Sequence, residues 1–119
     1  MSKNRIVALA ITAVTAALLF ALPASAKHQA TTVTVTEGSP AEFGIKLSAK
    51  SVKAGAVTFK VTNKGNLPHD FKIGTKKTPM LSPGKSATLS VTLKKGKTAY
   101  LCTVSGHAAA GMKGTLTVL

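Results

Sequence analysis

The residues best suited to metal chemistry lie near the C-terminus, around the only cysteine of the chain. Cys102, His107 and Met112 are separated by four residues each, in the pattern C-x4-H-x4-M. A second imidazole, that of His69, lies in a separate upstream segment. One thiolate, two imidazoles and a thioether are the donor set of a type 1, or blue, copper site, in which Met is a long and weak axial ligand. The spacing therefore predicts a centre for one-electron transfer.

The same donor set accounts for rapid electron exchange at such a centre. Cu(I) favours soft sulfur ligands, whereas Cu(II) accepts imidazole and usually prefers a tetragonal arrangement. A mixed set held by the protein lets both oxidation states keep nearly one geometry, so little rearrangement accompanies electron transfer. The loop between Cys102 and Met112 must double back, and Gly106 and Gly111 suit its bends. Because His69 arrives from elsewhere, the site forms only in the folded chain.

Each of the four side chains also has an ordinary structural explanation. A free cysteine such as Cys102 can behave as a small hydrophobic core residue. His107 could be an exposed loop residue, Met112 could fill the core, and His69 could belong to a turn. The combination of residue types, order and spacing, carried on alternating strands, favours a metal site over four separate coincidences.

The elements that must position these ligands are strands. Seven segments alternate apolar and polar residues with the period of two that is typical of half-buried strands. They are residues 31–36, 43–47, 57–61, 71–73, 87–93, 98–103 and 113–119. Turn-forming Gly, Pro, Asn and Ser separate them. About seven strands in this length predict an all-β fold, a Greek-key β-sandwich that forms one domain.

The first 26 residues have the pattern of a secretory signal. Lys3 and Arg5 precede a long apolar run, and Ala-Ser-Ala at 24–26 supplies the small residues that a signal peptidase reads. We expect cleavage after residue 26, which leaves residues 27–119 as a domain exported to the periplasm, the cell envelope or the extracellular space. An uncleaved leader that holds the protein on the membrane is the alternative.

The domain that remains is strongly basic. Without Lys3 and Arg5, 14 of the 16 basic residues stand against three acids, a net charge of +11. Such a charge attracts anionic partners and speeds encounter with them. The absence of Trp, the single Tyr and the lack of Arg after residue 26 argue against nucleic acid as the partner. We expect a monomer whose redox partner proteins carry anionic surfaces, with membrane contact only through the leader or a membrane-bound partner. A solvated lysine-rich surface without a special partner is the alternative.

The C-terminal segment resembles the copper-binding loop of the plastocyanin/azurin family of cupredoxins. The similarity is carried by the C-x4-H-x4-M spacing and by the ending Gly111-Met112-x-Gly114. The strand pattern extends it from about residue 31 to residue 119. This resemblance implies that His69, Cys102 and His107 are equatorial copper ligands and that Met112 is the axial ligand.

One position departs from the family pattern. Many cupredoxins have Asn directly after the first His ligand, where its side chain bonds across to the segment near the Cys. In this chain the residue is Asp70. A carboxylate can accept the same hydrogen bonds, but it adds negative charge beside the copper.

The function that follows is that of a small exported one-electron carrier, not an enzyme. A periplasmic copper-delivery protein of the same fold is the alternative, although such proteins favour exposed Met- and His-rich sites. A copper oxidase or nitrite reductase would need further His clusters, and only His28 remains unassigned. A two-copper electron-entry site would need a second Cys. A cupredoxin-like domain without metal is opposed by the presence of all four ligand types.

Overall fold

Nine strands form two sheets in the part of the chain that the computed structural model describes, residues 10, 13–20 and 30–119. The strands are β1 (Thr31–Glu37), β2 (Ile45–Leu47), β3 (Ser51–Val52), β4 (Gly55–Asn63), β5 (Lys72–Ile73), β6 (Lys76–Lys77), β7 (Ser86–Leu93), β8 (Gly96–Leu101) and β9 (Lys113–Val118). The first sheet has the order β2-β1-β4-β7 and the second the order β3-β9-β8-β5-β6. No helix occurs within these described ranges, and the predicted all-β sandwich is confirmed.

The seven segments predicted from alternation correspond to β1, β2, β4, β5, β7, β8 and β9. The two additional strands, β3 and β6, have only two residues each, so they are too short to show a period. The connections cross from one sheet to the other, and β1 pairs with β4 in parallel, as β3 does with β9. These crossed connections distinguish the Greek-key sandwich from a simple series of hairpins.

The core lies between the sheets and follows from the alternation along the strands. In β1, Val33 and Val35 are fully buried, while Thr34 between them faces outward. In β4, Val57, Phe59 and Val61 are fully buried as well. The ring of Phe59 packs against Phe71 at a centroid distance of 5.4 Å. Burial of each such side chain contributes about 1.5–3 kcal/mol to folding.

Strand register brings the candidate ligand segments to one end of the sandwich. β1 and β4 end together, because Glu37 is paired with Asn63. In the second sheet, Leu101 at the end of β8 lies opposite Lys113 at the start of β9 and beside Lys72 at the start of β5. The chain segments that leave or enter these strands contain His69, Cys102, His107 and Met112.

The predicted leader, residues 1–26, lies for the most part outside the described residues, and so does His28. The described leader residues, 10 and 13–20, carry no regular secondary structure. A helix long and apolar enough to cross a membrane is not found in the part of the chain that the structure describes.

Candidate metal centre

Cys102 follows directly on β8, and its side chain is buried, with 1% exposure. The alternation predicts a strand that extends to residue 103, but β8 ends at Leu101. The backbone N–H of Cys102 donates to the C=O of Met112 at 3.0 Å, which continues the pairing of β8 with β9. Burial raises the pKa of the Cys102 thiol, and the negative charges of Asp70 and Glu37 raise it further. Hydrogen bonds from backbone groups of Asp70 and Val104 oppose this increase.

His107 lies in a compact series of turns between β8 and β9. Its N–H donates to the C=O of Val104 at 3.0 Å, and its own C=O accepts the N–H of Met112 at 3.1 Å. Gly106 and Gly111 both have positive φ, at 82° and 129°, so the expected bends fall at these glycines. As a whole residue His107 is partly exposed, whereas His69, Cys102 and Met112 are buried.

His69 lies between β4 and β5 and is fully buried. It forms an isolated bridge with Leu81, in which the N–H of each residue donates to the C=O of the other at 3.1 and 2.8 Å. This pair of hydrogen bonds fixes the backbone of His69, so the imidazole projects toward the end of β8.

The three side chains converge. The Nδ1 atoms of His69 and His107 are 3.1 Å apart, and they lie 4.0 and 3.7 Å from Sγ of Cys102. Donor atoms that share one ion at roughly 2.0–2.3 Å, the range for imidazole and thiolate ligands of a first-row metal, are roughly 3–4 Å apart. The residues therefore fit a single metal ion. Within the described ranges this is the one cluster of three or more such ligands.

Met112 lies next to this cluster and is fully buried. Its backbone bonds to both Cys102 and His107 hold it at the entrance to β9. Its role as a fourth, axial ligand stays a prediction, although a buried thioether in this place is the donor that the C-x4-H-x4-M spacing predicts.

Asp70 joins the His69 segment to the Cys102 segment. One carboxylate oxygen accepts the backbone N–H of Thr103 at 2.6 Å, and the other accepts the hydroxyl of Thr103. The carboxylate therefore accepts the bonds that the Asn of other cupredoxins was expected to make. It also keeps a negative charge next to two ligand-bearing segments.

Two acidic residues near the centre were not identified from the sequence. Glu42, in the connection between β1 and β2, lies 2.8 Å from Nε2 of His69 through its Oε1 atom. The backbone N–H groups of Asn66 and Leu67 also donate to this carboxylate. The bond from Asn66 contributes most to lowering the pKa of Glu42 below its ordinary value. The bonds from Leu67 and His69 lower this pKa further, while desolvation opposes them. Nothing in the linear sequence links Glu42 to a histidine 27 positions away.

Glu37, the last residue of β1, is fully buried, and neither carboxylate oxygen has a hydrogen-bond partner among the described residues. Burial, with a smaller contribution from the charge of Asp70, raises its pKa from 4.5 to about 7. The strand alternation does place Glu37 on the inward face, in the series Val33, Val35, Glu37. That inward position was the available signal for a buried acid.

The fold and this arrangement of residues are those of a cupredoxin. Residues 8–118 match the family model described as a cupredoxin-like domain, and the chain belongs to that family. A comparison with curated protein sequences finds no match.

Solved structures with the same fold include three bacterial proteins. Reduced auracyanin from Roseiflexus castenholzii is 23% identical, with a TM-score of 0.62, over 76% of this chain and 98% of its own. Auracyanin A from Chloroflexus aurantiacus, described as a "blue" copper protein, is 16% identical, with a TM-score of 0.61, over 76% of this chain and all of its own. Rusticyanin from Thiobacillus ferrooxidans is 20% identical, with a TM-score of 0.63, over 74% of this chain and 76% of its own. At these identities the similarity concerns the fold.

Proposed function

We propose that the protein binds one copper ion through His69, Cys102 and His107, with Met112 as the axial ligand, and that it carries single electrons. The observation that supports this most is the separation of 3.1–4.0 Å among two imidazole nitrogens and the cysteine sulfur. Copper, when bound, supplies exchange between the Cu(I) and Cu(II) states. Auracyanin A, which shares the fold, is described as a "blue" copper protein.

The protein's own contribution is to hold the donor atoms in place. Backbone bonds fix His69 to Leu81 and Cys102 to Met112, and the carboxylate of Asp70 ties the two segments together. Donors held in this way need not move when the oxidation state changes, so a small reorganisation accompanies electron transfer. Binding of the metal removes the proton of Cys102, whose raised pKa keeps the thiol protonated in the metal-free protein.

The burial of the ligands favours an electron carrier over a copper-delivery protein. His69 and Met112 have no exposed surface and Cys102 has 1%, so a copper chaperone would have to open the fold to exchange the ion. His107, the least buried of the four residues, gives a short route for an electron but a poor one for a metal ion. No second cluster of three or more such ligands occurs within the described residues.

The charge distribution supports partner proteins with acidic surfaces. Strand register places Lys77, Lys72, Leu101 and Lys113 in one row across the second sheet, directly before Cys102. The three lysines are exposed. Like charges directly opposite each other, as Lys72 and Lys77 are, destabilise a sheet, so the row is not explained by stability. An acidic partner would relieve this repulsion.

The outward face of the first sheet carries fewer lysines than the second sheet. Threonine and serine fill most outward positions of β1, β4 and β7. The strands of the first sheet contain two exposed lysines, Lys60 in β4 and Lys46 in β2, and those of the second sheet contain five. The basic charge of the two sheets is therefore unequal, and we place the docking of an acidic partner on the second sheet. Residues 1–26 act in this proposal as a cleaved secretory signal, and the exported protein acts as a monomer in the periplasm or cell envelope.

Absorption spectroscopy of the copper-loaded protein tests the proposal. The oxidised protein should be intensely blue, because charge moves from the thiolate to Cu(II) on excitation, and ascorbate should remove the colour. Cys102→Ser should abolish the band. Ser105→Ala, an exposed position in the same loop, is the matched control and should leave it unchanged.

Two results would contradict the proposal. Copper-loaded protein without sulfur coordination would exclude the site as described. A colourless protein that binds Cu(I) and releases it readily to a chelator would favour the delivery function instead.

A further inference from the structure

The two nitrogens of the His69 ring have different partners. Nδ1 faces Sγ of Cys102 and Nδ1 of His107, whereas Nε2 faces the carboxylate of Glu42 at 2.8 Å. An ionised carboxylate only accepts hydrogen bonds, so Nε2 must be the donor. The neutral ring then carries its single proton on Nε2 and has a free lone pair on Nδ1.

The opposite tautomer would obstruct the metal centre. A proton on Nδ1 would point toward the space between the other two donor atoms, and Nε2 would face the negative charge of Glu42 with a lone pair. The contact with Glu42 therefore selects the form of His69 that can bind a metal.

Glu42 is itself held in place. Its carboxylate accepts the backbone N–H of Asn66 at 2.8 Å and that of Leu67 at 3.0 Å, and only 24% of the side chain is exposed. Gly65 leaves the space for this contact, because a Cβ atom there would lie 2.5 Å from Oε1 of Glu42 and 3.0 Å from Nε2 of His69. On the other side, a Cβ atom at Gly38 would lie 3.4 Å from the same Nε2 atom.

We infer that Glu42 is a positioning residue of the metal centre, which fixes the tautomer and orientation of His69 and lowers the reduction potential through its negative charge. The effect on potential rests on the proposed copper function, and the effect on the tautomer does not. A negative charge hydrogen-bonded to a ligand stabilises the more positive, oxidised centre, so its removal should weaken Cu(II) binding more than Cu(I) binding.

Two variants separate geometry from charge. Glu42→Gln keeps an oxygen that can accept the Nε2–H bond but removes the charge. Glu42→Ala removes both. Asn63→Ala is the matched control, since the Asn63 side chain bonds to Gly65, Leu67 and Leu81 in the same region without contacting the imidazole. If Asn63→Ala does not fold, Asn63→Ser serves as the control instead.

Nitrogen-15 NMR of the metal-free protein should show His69 protonated on Nε2 in the native chain and in Glu42→Gln. Glu42→Ala should shift the ring toward the Nδ1–H form and lower the affinity for Zn(II), a redox-inactive probe, by about 10–100-fold. In copper-loaded protein both Glu42 variants should raise the potential. A tenfold greater loss of affinity for Cu(II) than for Cu(I) corresponds to a rise of about 59 mV. Asn63→Ala should reduce stability without changing tautomer or potential.

The inference is overturned if Glu42→Ala retains the tautomer and the Zn(II) affinity, or if Asn63→Ala reproduces every effect. A blue native protein whose potential is the same in both Glu42 variants would refute the role of the charge and leave the copper function intact. Conversely, suppose that Nε2 protonation depends on Glu42 and that the protein does not take up copper. The first result would support the positioning role, and the second would refute the proposed function.

Discussion

The carboxyl of Glu37, which has no hydrogen-bond partner in the described part of the chain, leads to a prediction about stability and pH. This side chain is fully buried, and its pKa rises from 4.5 to about 7, mainly because burial disfavours the charged form. Below pH 4.5, the pKa of this carboxyl in the unfolded chain, Glu37 is neutral in both the folded and the unfolded state. It then causes no loss of stability through the burial of a charge. As the pH rises through about 7, the unfolded chain ionises more readily than the folded one, and stability is lost.

The magnitude follows from the displacement of the pKa. A shift from 4.5 to about 7 is worth about 3 kcal/mol when fully expressed, at 1.36 kcal/mol for each pH unit. For a domain with a total stability of about 5–15 kcal/mol, this is a large fraction. Glu37→Gln has nearly the same shape and cannot ionise, so it should remove the whole penalty.

Denaturant unfolding of the metal-free protein measures the effect. The native chain and Glu37→Gln should have similar free energies of unfolding at about pH 4, and Glu37→Gln should be more stable by about 3 kcal/mol at about pH 8. Every other titrating group is shared by the two proteins, so its contribution cancels in the difference. A difference between the proteins that does not change with pH would refute the conclusion that Glu37 is neutral when buried.

Two further predictions concern the metal centre and its partner. Met112→Gln should keep the blue colour but lower the reduction potential, since the axial ligand tunes it; an unchanged potential, measured by redox titration, would count against Met112 as that ligand. Replacement of Lys72, Lys77 and Lys113 by Gln should slow electron transfer to an acidic partner roughly tenfold at low salt and flatten its salt dependence, as followed by stopped-flow spectroscopy. Lys60→Gln on the other sheet should have little effect, and equal effects from both sheets would show that only net charge matters.

Much of the fold could be predicted because its strands are long enough to display a period. Alternation in β1, β4 and β7 identifies both the strands and their buried faces. β3 and β6 could not be found in this way, because two residues contain no repeat. Phe43 was grouped with the second strand, but it lies before β2 and is 38% exposed, with its ring edge-on to His107 at 5.1 Å.

Cys102, His107 and Met112 could be proposed as ligands because their spacing reflects one loop of limited length, whereas His69 was proposed from its residue type in a separate segment. The residues that support them could not. Glu42 contacts His69 across a separation of 27 residues, and this contact depends on how two loops meet in the folded protein. Asp70 lies between these cases, since its position next to His69 marked it as relevant, while its bonds to Thr103 required the structure.

All three acidic residues of the chain lie around the predicted metal centre, in a molecule with 16 basic residues. Two opposite electric fields therefore act at different depths. The outer field of the lysines extends into solvent, where dissolved ions weaken it over about 10 Å at roughly 0.1 M ionic strength. The inner field comes mainly from Asp70, a buried carboxylate that mobile ions do not reach, because buried Glu37 is largely neutral up to about pH 7.

Salt should therefore change how fast this protein meets its partner while leaving the energy of the transferred electron almost constant. Because the two fields are separate, surface lysines could be replaced to suit a different partner protein without a change in the reduction potential of the metal centre.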